Sequence, residues 1–251
     1  VESLTDELAS LAWRRFQEIE SAGGFLAVVE NGALLREIET VRAARTKAIA
    51  TRKAPITGVS TFPLLDEKAV ELDEADAAAY AALQAPPAGP DDLALEPWPR
   101  LRLAEPFERL RDAADHFTAR TGTRPAVLLL TLGTLAEHTV RATWIKGLLA
   151  AGGIEARESS PLDDEAAVAE ACRETGLPLA VLCSSDARYA ELAEAAARSA
   201  KDAGIRHLYL AGRPGEAEAT WRGAGIDGFL YQGMDVLAEL EAMHDRLIAE
   251  D

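Results

Sequence analysis

Two kinds of hydrophobic pattern alternate along the second half of the chain. Short, mostly apolar runs have the length of strands in a parallel sheet. They are Ala126–Leu132, Ile154–Glu158, Leu179–Cys183, His207–Ala211 and Gly228–Tyr231. Between and after these runs, apolar residues recur at helical spacing, which indicates helices with one buried face. The predicted helices are Leu135–Ala151, Asp163–Thr175, Ala187–Ala203, Gly215–Gly223 and Asp235–Ala249.

This alternation of strands and helices, joined by short turns with Gly, Pro or Asp, predicts a parallel sheet covered on both faces. Right-handed crossovers and the size of the region favour the flavodoxin-like strand order 2-1-3-4-5. The predicted fold class is therefore α/β, with a flavodoxin-like five-stranded parallel sheet. A mainly helical N-terminal segment and a long linker precede it.

The first strand and helix of this region would carry His138 close to the carboxyl end of the sheet. His138 lies at the start of the helix Leu135–Ala151, directly after the first strand. The helix has one predicted apolar face, formed by Val140, Trp144, Ile145, Leu148 and Leu149. Ligands of open parallel sheets bind outside the carboxyl ends of the strands. We therefore expect any ligand site of this chain to lie close to His138.

Residues 1–63 predict three amphipathic helices and one short strand, Ile56–Phe62, which ends at Pro63. The first helix ends at Gly23-Gly24, and its apolar stripe consists of Leu4, Leu8, Leu11, Ala12, Phe16 and Ile19. The second covers Phe25–Glu30. The third runs from about Leu34 to Ala50, with Leu34, Ile38, Val41 and Ile49 inward. These faces are too small to bury a core alone, so we expect them to rest on a partner.

Residues 64–105 are acidic and rich in proline, which forbids regular structure and predicts an extended linker. The linker contains Trp98, Leu101 and Leu103, which are too apolar for a free tether, so we expect it to lie along a surface. A helix from Glu105 to Thr118 follows. The predicted organisation is thus a helical segment 1–63, a linker 64–105 and an α/β domain 106–251.

Basic side chains are concentrated on and just after the third helix of an otherwise acidic chain. They are Arg36, Arg42, Arg45, Lys47, Arg52 and Lys53. Two interpretations remain open, a solvated helix face and a docking surface for an acidic partner or a phosphorylated ligand. The net charge of -16 excludes a generic nucleic-acid binder, because a phosphate backbone would be repelled.

Composition and chain ends indicate the compartment. The two cysteines, Cys172 and Cys183, fall in a helical and a strand pattern, and we expect plain core thiols in a reducing cytoplasm. No apolar run is long enough to span a bilayer and no secretory leader is present, so we expect no membrane association. The chain begins at Val1 within a helical pattern, and we expect it to be the tail end of something longer, or a processed piece.

Catalytic signatures do not occur in the sequence. No Ser-His-Asp arrangement, CxxC, HExxH or phosphate-binding loop is found. We expect His116, His207 and His244 to be structural or surface residues. Glu137 and Asp186 follow predicted strands, and we interpret them as solvated or helix-capping residues rather than an acid–base pair.

The C-terminal half resembles the cobalamin-binding domain of the methylmalonyl-CoA mutases, and the N-terminal segment resembles the part that leaves their substrate barrel. In that segment Gly23-Gly24, Asn31-Gly32, Arg45 and Gly58-Val59-Ser60 match in order. Within the family the chain is similar to the small subunit of the bacterial heterodimeric enzymes. The resemblance implies an isomerase complex that interconverts methylmalonyl-CoA and succinyl-CoA with adenosylcobalamin.

The family's cobalamin loop has the form Asp-x-His-x-x-Gly, in which the histidine binds cobalt and the aspartate orients it. His138 falls at the histidine position, but Ala136 replaces the aspartate and Arg141 the glycine. Ser184 matches a serine near the nucleotide tail of the cofactor, and Gly212 matches one of two paired glycines. His138, Ser184 and Gly212 are therefore the candidate cofactor-binding residues, by position only, and we expect no metal site.

The resemblance implies a non-catalytic supporting subunit, or a fragment of one, with a degenerate cobalamin-binding domain. Its partner would be the large subunit in a heterodimer, or otherwise a second copy of itself, and this chain would bind no cofactor. The alternative is a cobalamin-binding or carrier module that uses His138 as the lower cobalt ligand. A response-regulator-like or nucleotide-binding domain is disfavoured, because the strand ends carry neither an acidic cluster nor a phosphate loop.

Overall fold

The computed structural model of the protein describes residues 1–67, 89 and 101–248. Backbone contacts divide the chain into two compact units. In the described residues, one unit contains Val1–Arg45 and the other contains Thr46–Glu67 together with residues 102–248. The first is referred to as the helical unit and the second as the α/β unit.

The helical unit confirms the predicted helices. They are α1 (Glu2–Ser21), α2 (Phe25–Glu30) and α3 (Ala33–Ala50), whose last residues belong to the α/β unit. The break between α1 and α2 needs glycine, because Gly23 and Gly24 have φ angles of 106° and 88°. No residue of α1 is buried, and Leu8 keeps 66% of its surface exposed. Ile38 and Val41, predicted to point inward from α3, are exposed as well.

The prediction of a strand at Ile56–Phe62 was wrong, because this segment forms a compact turn. A single bridge between Thr57 and Thr61 closes it. Gly58 adopts a φ of 79°, and the amides of Val59 and Ser60 both donate back to the carbonyl of Ile56. The buried Ser60 hydroxyl accepts from the Ile56 amide at 2.9 Å. Glycine and serine thus favour a turn over the extended shape that the β-branched residues suggest.

The α/β unit confirms the predicted sheet. All neighbouring strands are parallel, and their order is β2-β1-β3-β4-β5. The strands are β1 (Ala126–Thr131), β2 (Glu155–Glu158), β3 (Leu179–Cys183), β4 (His207–Ala211) and β5 (Gly228–Leu230). Because β1 and β3 are covered on both faces, all their residues are buried and read as continuous apolar runs.

Helices cover both faces of the sheet. In chain order they are α4 (Glu105–Thr121), α5 (Leu135–Ala151), α6 (Glu165–Thr175), α7 (Asp186–Asp202), α8 (Glu218–Gly223) and α9 (Val236–Leu247). The predicted helix Gly215–Gly223 divides into a 3-10 turn at Gly215–Ala217 and the short α8.

Successive residues of β1 enter two separate hydrophobic cores. Val127 and Leu129 pack with α4, α5 and α9, whereas Leu128 and Leu130 pack with α6 and α7. Cys172 and Cys183 are buried and unbonded, and burial raises the pKa of the Cys172 thiol to about 11. Val140 was predicted on the buried face of α5 but is 78% exposed, because it lies on the side of the helix opposite to the buried His138 and Ala142.

The linker prediction falls mostly on residues outside the described part, including Trp98. Of the described linker residues, Leu101 and Leu103 are about half exposed. The division into 1–63, 64–105 and 106–251 stays a prediction. Among the helices of the described residues, none is long and apolar enough to cross a membrane.

Candidate functional site

The loop between β1 and α5 is shaped by a helix cap. The Glu137 carboxylate accepts from both the backbone amide and the hydroxyl of Thr134, each at 2.7 Å. These hydrogen bonds lower the pKa of Glu137. Gly133 has a φ of 76°, and a Cβ there would lie 2.5 Å from the Glu137 carboxylate. The loop is therefore packed against its own cap at the carboxyl end of the first strand.

His138 follows the cap and is buried in the first turn of α5, with 2% of its surface exposed. Its backbone amide donates to the Thr134 carbonyl at 3.3 Å. The ring nitrogen Nδ1 is buried and has no hydrogen-bond partner among the described residues. Ala136, two residues earlier, cannot supply one. The imidazole thus lacks the carboxylate that would fix its orientation and tautomer.

Ser184 is fully buried after β3, and its polar groups are used internally. Its hydroxyl donates to the Leu132 carbonyl at 2.7 Å, and its amide donates to the Tyr189 hydroxyl at 2.8 Å. The Tyr189 hydroxyl in turn lies within hydrogen-bonding distance of the Leu182 and Ala211 carbonyls. These bonds join the ends of β1, β3 and β4. Ser184 has no free hydroxyl proton to offer a ligand.

Arg141 on α5 brings two of the three candidate residues together. Its guanidinium donates to the Ser184 carbonyl at 2.7 Å and to the Asp186 carboxylate at 2.6 Å. It also lies 5.0 Å from the centre of the Tyr189 ring. Gly212 lies on the other side, where an added Cβ would be 3.4 Å from the guanidinium. No hydrogen bond among the described residues links His138 to Ser184 or Gly212.

A second arginine closes the neighbouring part of the same edge. Arg188 on α7 donates to the Asp163 carbonyl at 3.2 Å and to the Glu191 carboxylate at 2.9 Å. It thereby ties the start of α7 to the loop before α6. The two arginines occupy the carboxyl edge around β1 and β3, where an open sheet of this kind would bind a ligand.

A shallow groove remains between α5 and the ends of β4 and β5. Its volume is about 270 Å³, just below the range typical of ligand pockets. It is lined by Val140, Arg141, Trp144, Ala211, Gly212, Leu230, Tyr231 and Gln232. Among the described residues, no group of three His, Cys, Asp or Glu side chains could hold a metal ion.

The sequence identified Arg141 as a departure from the mutase pattern and Asp186 as a solvated or helix-capping residue, but the two were not paired. The signal was present, because the two residues carry opposite charges and both follow predicted strands. Tyr189 was missed altogether. Its position, one helical turn after Ser184-Ser185, would have placed it near the strand ends.

Comparison with known proteins gives a consistent set of relatives. The family model described as methylmalonyl-CoA mutase matches residues 1–86. The chain is 43% identical over 247 residues to the methylmalonyl-CoA mutase small subunit of Streptomyces virginiae. It is 41% identical over 250 residues to the probable methylmalonyl-CoA mutase small subunit of Mycobacterium bovis, and 33% identical over 249 residues to the small subunit of Propionibacterium freudenreichii subsp. shermanii. Each match covers 98% of this chain and 36% of the relative, so the chain spans about a third of their length.

Proposed function

This chain belongs to the methylmalonyl-CoA mutase family, and on that premise we propose that it is part of a supporting subunit without catalytic residues of its own. The isomerase activity, with adenosylcobalamin as its cofactor, would belong to a large subunit in a cytoplasmic heterodimer. Within this chain, residues 106–251 would form the degenerate cobalamin-binding-like domain.

The position of Arg141 carries the proposal. A bound cofactor tail would need to approach the backbone at Gly212 and the serine after β3. Both places are already in contact with the Arg141 guanidinium, whose positive charge is paired with Asp186 at 2.6 Å. A ligand that displaced the Arg141 guanidinium would break its hydrogen bonds to the Ser184 carbonyl and the Asp186 carboxylate. The positive charge of Arg141 and both acceptors would then be left unpaired. The residues at this edge therefore do not fit adenosylcobalamin.

The surroundings of His138 agree with this interpretation. A metal-binding imidazole usually donates its second ring nitrogen to a carboxylate or carbonyl, and losing that partner weakens metal affinity by roughly 10–100-fold. Nδ1 of His138 has no such partner among the described residues, and the ring is almost fully buried. We propose that His138 packs the start of α5 rather than binding cobalt.

The same unpartnered nitrogen is the observation that favours the alternative, a cobalamin carrier. A buried polar atom without a hydrogen bond is uncommon and is often explained by a missing ligand. The two functions differ in one readout. A carrier predicts a spectral change of added cobalamin that His138→Ala abolishes, whereas the supporting subunit predicts no change.

The helical unit supplies the argument for a partner. Leu4, Leu8 and Leu11 are spaced at one side of α1, and all are more than half exposed. Trp13 and Phe16 add an exposed stacked pair with ring centres 5.3 Å apart. An exposed apolar stripe such as that of the three leucines marks an interaction site. We propose that the large subunit covers it, with self-association as the other outcome.

Light scattering tests this role directly. The 251-residue chain is measured alone, mixed with a methylmalonyl-CoA mutase large subunit, and mixed with an unrelated protein of similar size. We expect a complex with the mass of both subunits only in the second mixture. Two separate species in that mixture would contradict the supporting role. A dimer of the chain alone would mean that a second copy of the chain covers the apolar surface.

A further inference from the structure

A larger cavity lies in the α/β unit, where the turn after α3 meets α5 and the loop before α9. Its volume is about 720 Å³, within the usual range for small-molecule sites. The residues that matter for its chemistry are Arg52, Lys53, Phe62, Thr143 and Trp144. His138, Ser184 and Gly212 do not line it, although it shares Trp144 and Gln232 with the groove beside Gly212.

Arg52 is the most unusual residue of this cavity. It adopts a left-handed backbone with a φ of 56°, which is strained for a residue with a long side chain. Its guanidinium donates to the Gly147 carbonyl at 3.0 Å, but its Nε–H is buried without a partner among the described residues. Burial lowers the pKa of Arg52. A half-buried cation with an unused donor is stabilised by an anion.

The charges around the cavity favour an anion as well. Lys53 lies next to Arg52, and neither forms an ion pair with a described residue. Among the described residues that line the cavity there is no aspartate or glutamate, although the chain carries a net charge of -16. Two cations at one site match the charge of a phosphate monoester, which is about -1.5 to -2 at neutral pH.

Two aromatic side chains define the apolar part of the cavity. Phe62 is 83% exposed and has a left-handed backbone with a φ of 52°. Trp144 on α5 is partly buried against the core. An exposed aromatic residue held in a strained backbone indicates a function rather than packing. Aromatic rings offer flat faces on which a planar ligand can stack.

We propose that this cavity binds an organic phosphate monoester with a planar aromatic body. The phosphate would accept hydrogen bonds from the guanidinium of Arg52 and from Lys53, and the aromatic body would contact Trp144 and Phe62. Of the interpretations given above for the basic residues on and after α3, the proposal favours a phosphorylated ligand. It applies to Arg52 and Lys53 only.

The test uses phenyl phosphate as the probe and the whole 251-residue chain. Binding is followed by calorimetry and by tryptophan fluorescence, with phenol and inorganic phosphate titrated in parallel. We expect saturable binding of phenyl phosphate that is at least tenfold tighter than that of either fragment. Trp144→Phe should remove the fluorescence change but leave the calorimetric signal.

Variants of the basic residues complete the experiment. Arg52→Gln should weaken phenyl phosphate binding at least tenfold and Arg52→Lys less, because lysine keeps the charge but not the planar fork. Arg45→Gln is the matched control, since Arg45 is exposed and outside the cavity. Circular dichroism checks that each variant is folded. Absence of saturable binding, equal binding by Arg52→Gln, or equal binding of phenol would overturn the proposal.

Discussion

In the strand β1 all six residues are buried, whereas in the twenty-residue helix α1 none is. Both elements carry regular apolar patterns, and both were predicted from those patterns. The difference lies in what covers them. Two layers of helices enclose β1 inside the α/β unit, but the leucines of α1 face solvent. An apolar pattern therefore predicts the element and its face, but not whether the same chain supplies the cover.

Burial of apolar surface contributes about 25 cal/mol per Å², so a covered leucine stabilises the isolated chain and an exposed one does not. Exposed leucines can still contribute to an interface, where the same surface is removed from water by another molecule.

The largest expected effect comes from a matched pair of leucine truncations. Leu129→Ala removes a fully buried side chain of β1 and should lower the free energy of unfolding by about 2–5 kcal/mol. Leu8→Ala, on exposed α1, should change it by less than about 0.5 kcal/mol. Urea unfolding of the isolated chain, followed by circular dichroism, measures both. Equal costs would mean that α1 is covered in the isolated chain.

The next effect concerns association. The triple variant Leu4→Ser, Leu8→Ser and Leu11→Ser should weaken binding to a large subunit at least tenfold, because it removes the exposed apolar stripe of α1. Its unfolding free energy should stay close to that of the unchanged chain. Light scattering across a dilution series gives the affinity. An unchanged affinity would show that the partner binds elsewhere.

A smaller effect is expected at the carboxyl edge of the sheet. Arg141→Ala removes the bonds to Ser184 and Asp186 and should destabilise the chain by about 1–2 kcal/mol. Arg198→Ala is the control, because Arg198 forms an exposed pair with Glu194 on α7 that contributes about 0.5 kcal/mol or less. Urea unfolding compares the two. If they cost the same, Arg141 does not hold the edge closed in solution.

The smallest effect is a dependence of stability on pH that belongs to the α/β unit. All four histidines lie outside Val1–Arg45, and burial lowers the pKa of His244, whose Nε2 lies 2.7 Å from the Gly152 carbonyl. The unfolded chain therefore binds the proton more readily. Stability should be retained above the ordinary histidine pKa of 6.5 and fall below it, by at most about 1.4 kcal/mol per pH unit.

A single variant isolates this contribution. His244→Gln keeps a hydrogen-bond donor for Gly152 and should flatten the loss of stability between about pH 6.5 and 5, relative to the unchanged chain. Thermal unfolding across this pH range is the measurement. A profile unchanged by His244→Gln would assign the dependence to other groups.

The sheet and its strand order could be predicted because the strands of the α/β unit pair with one another and are covered by helices of the same chain. The apolar pattern of each strand therefore matches its burial. The same reasoning misjudged Ile56–Phe62, where the conformation of Gly58 and the hydroxyl of Ser60 decide for a turn. It also misplaced Val140, which lies on the side of α5 opposite its buried residues. Ile38 and Val41 were misplaced because helical spacing does not tell which neighbour exists.

The candidate site was predictable in position but not in detail. The pattern located the edge beside His138 and identified Ala136 and Arg141 as departures from the family. The pairing of Arg141 with Asp186 depends on a contact across two loops, which spacing along the chain does not encode. The strained backbone of Arg52 and Phe62, likewise, is set by tertiary packing.

We propose that Arg141 fills the place where a cobalamin tail would bind. Absorbance titration of adenosylcobalamin with the 251-residue chain tests it most directly, with the chain carrying His138→Ala measured alongside. We expect no saturable spectral change at micromolar concentrations of either protein. A saturable change with the unchanged chain that is lost in His138→Ala would contradict it, and the chain would then be a cobalamin carrier.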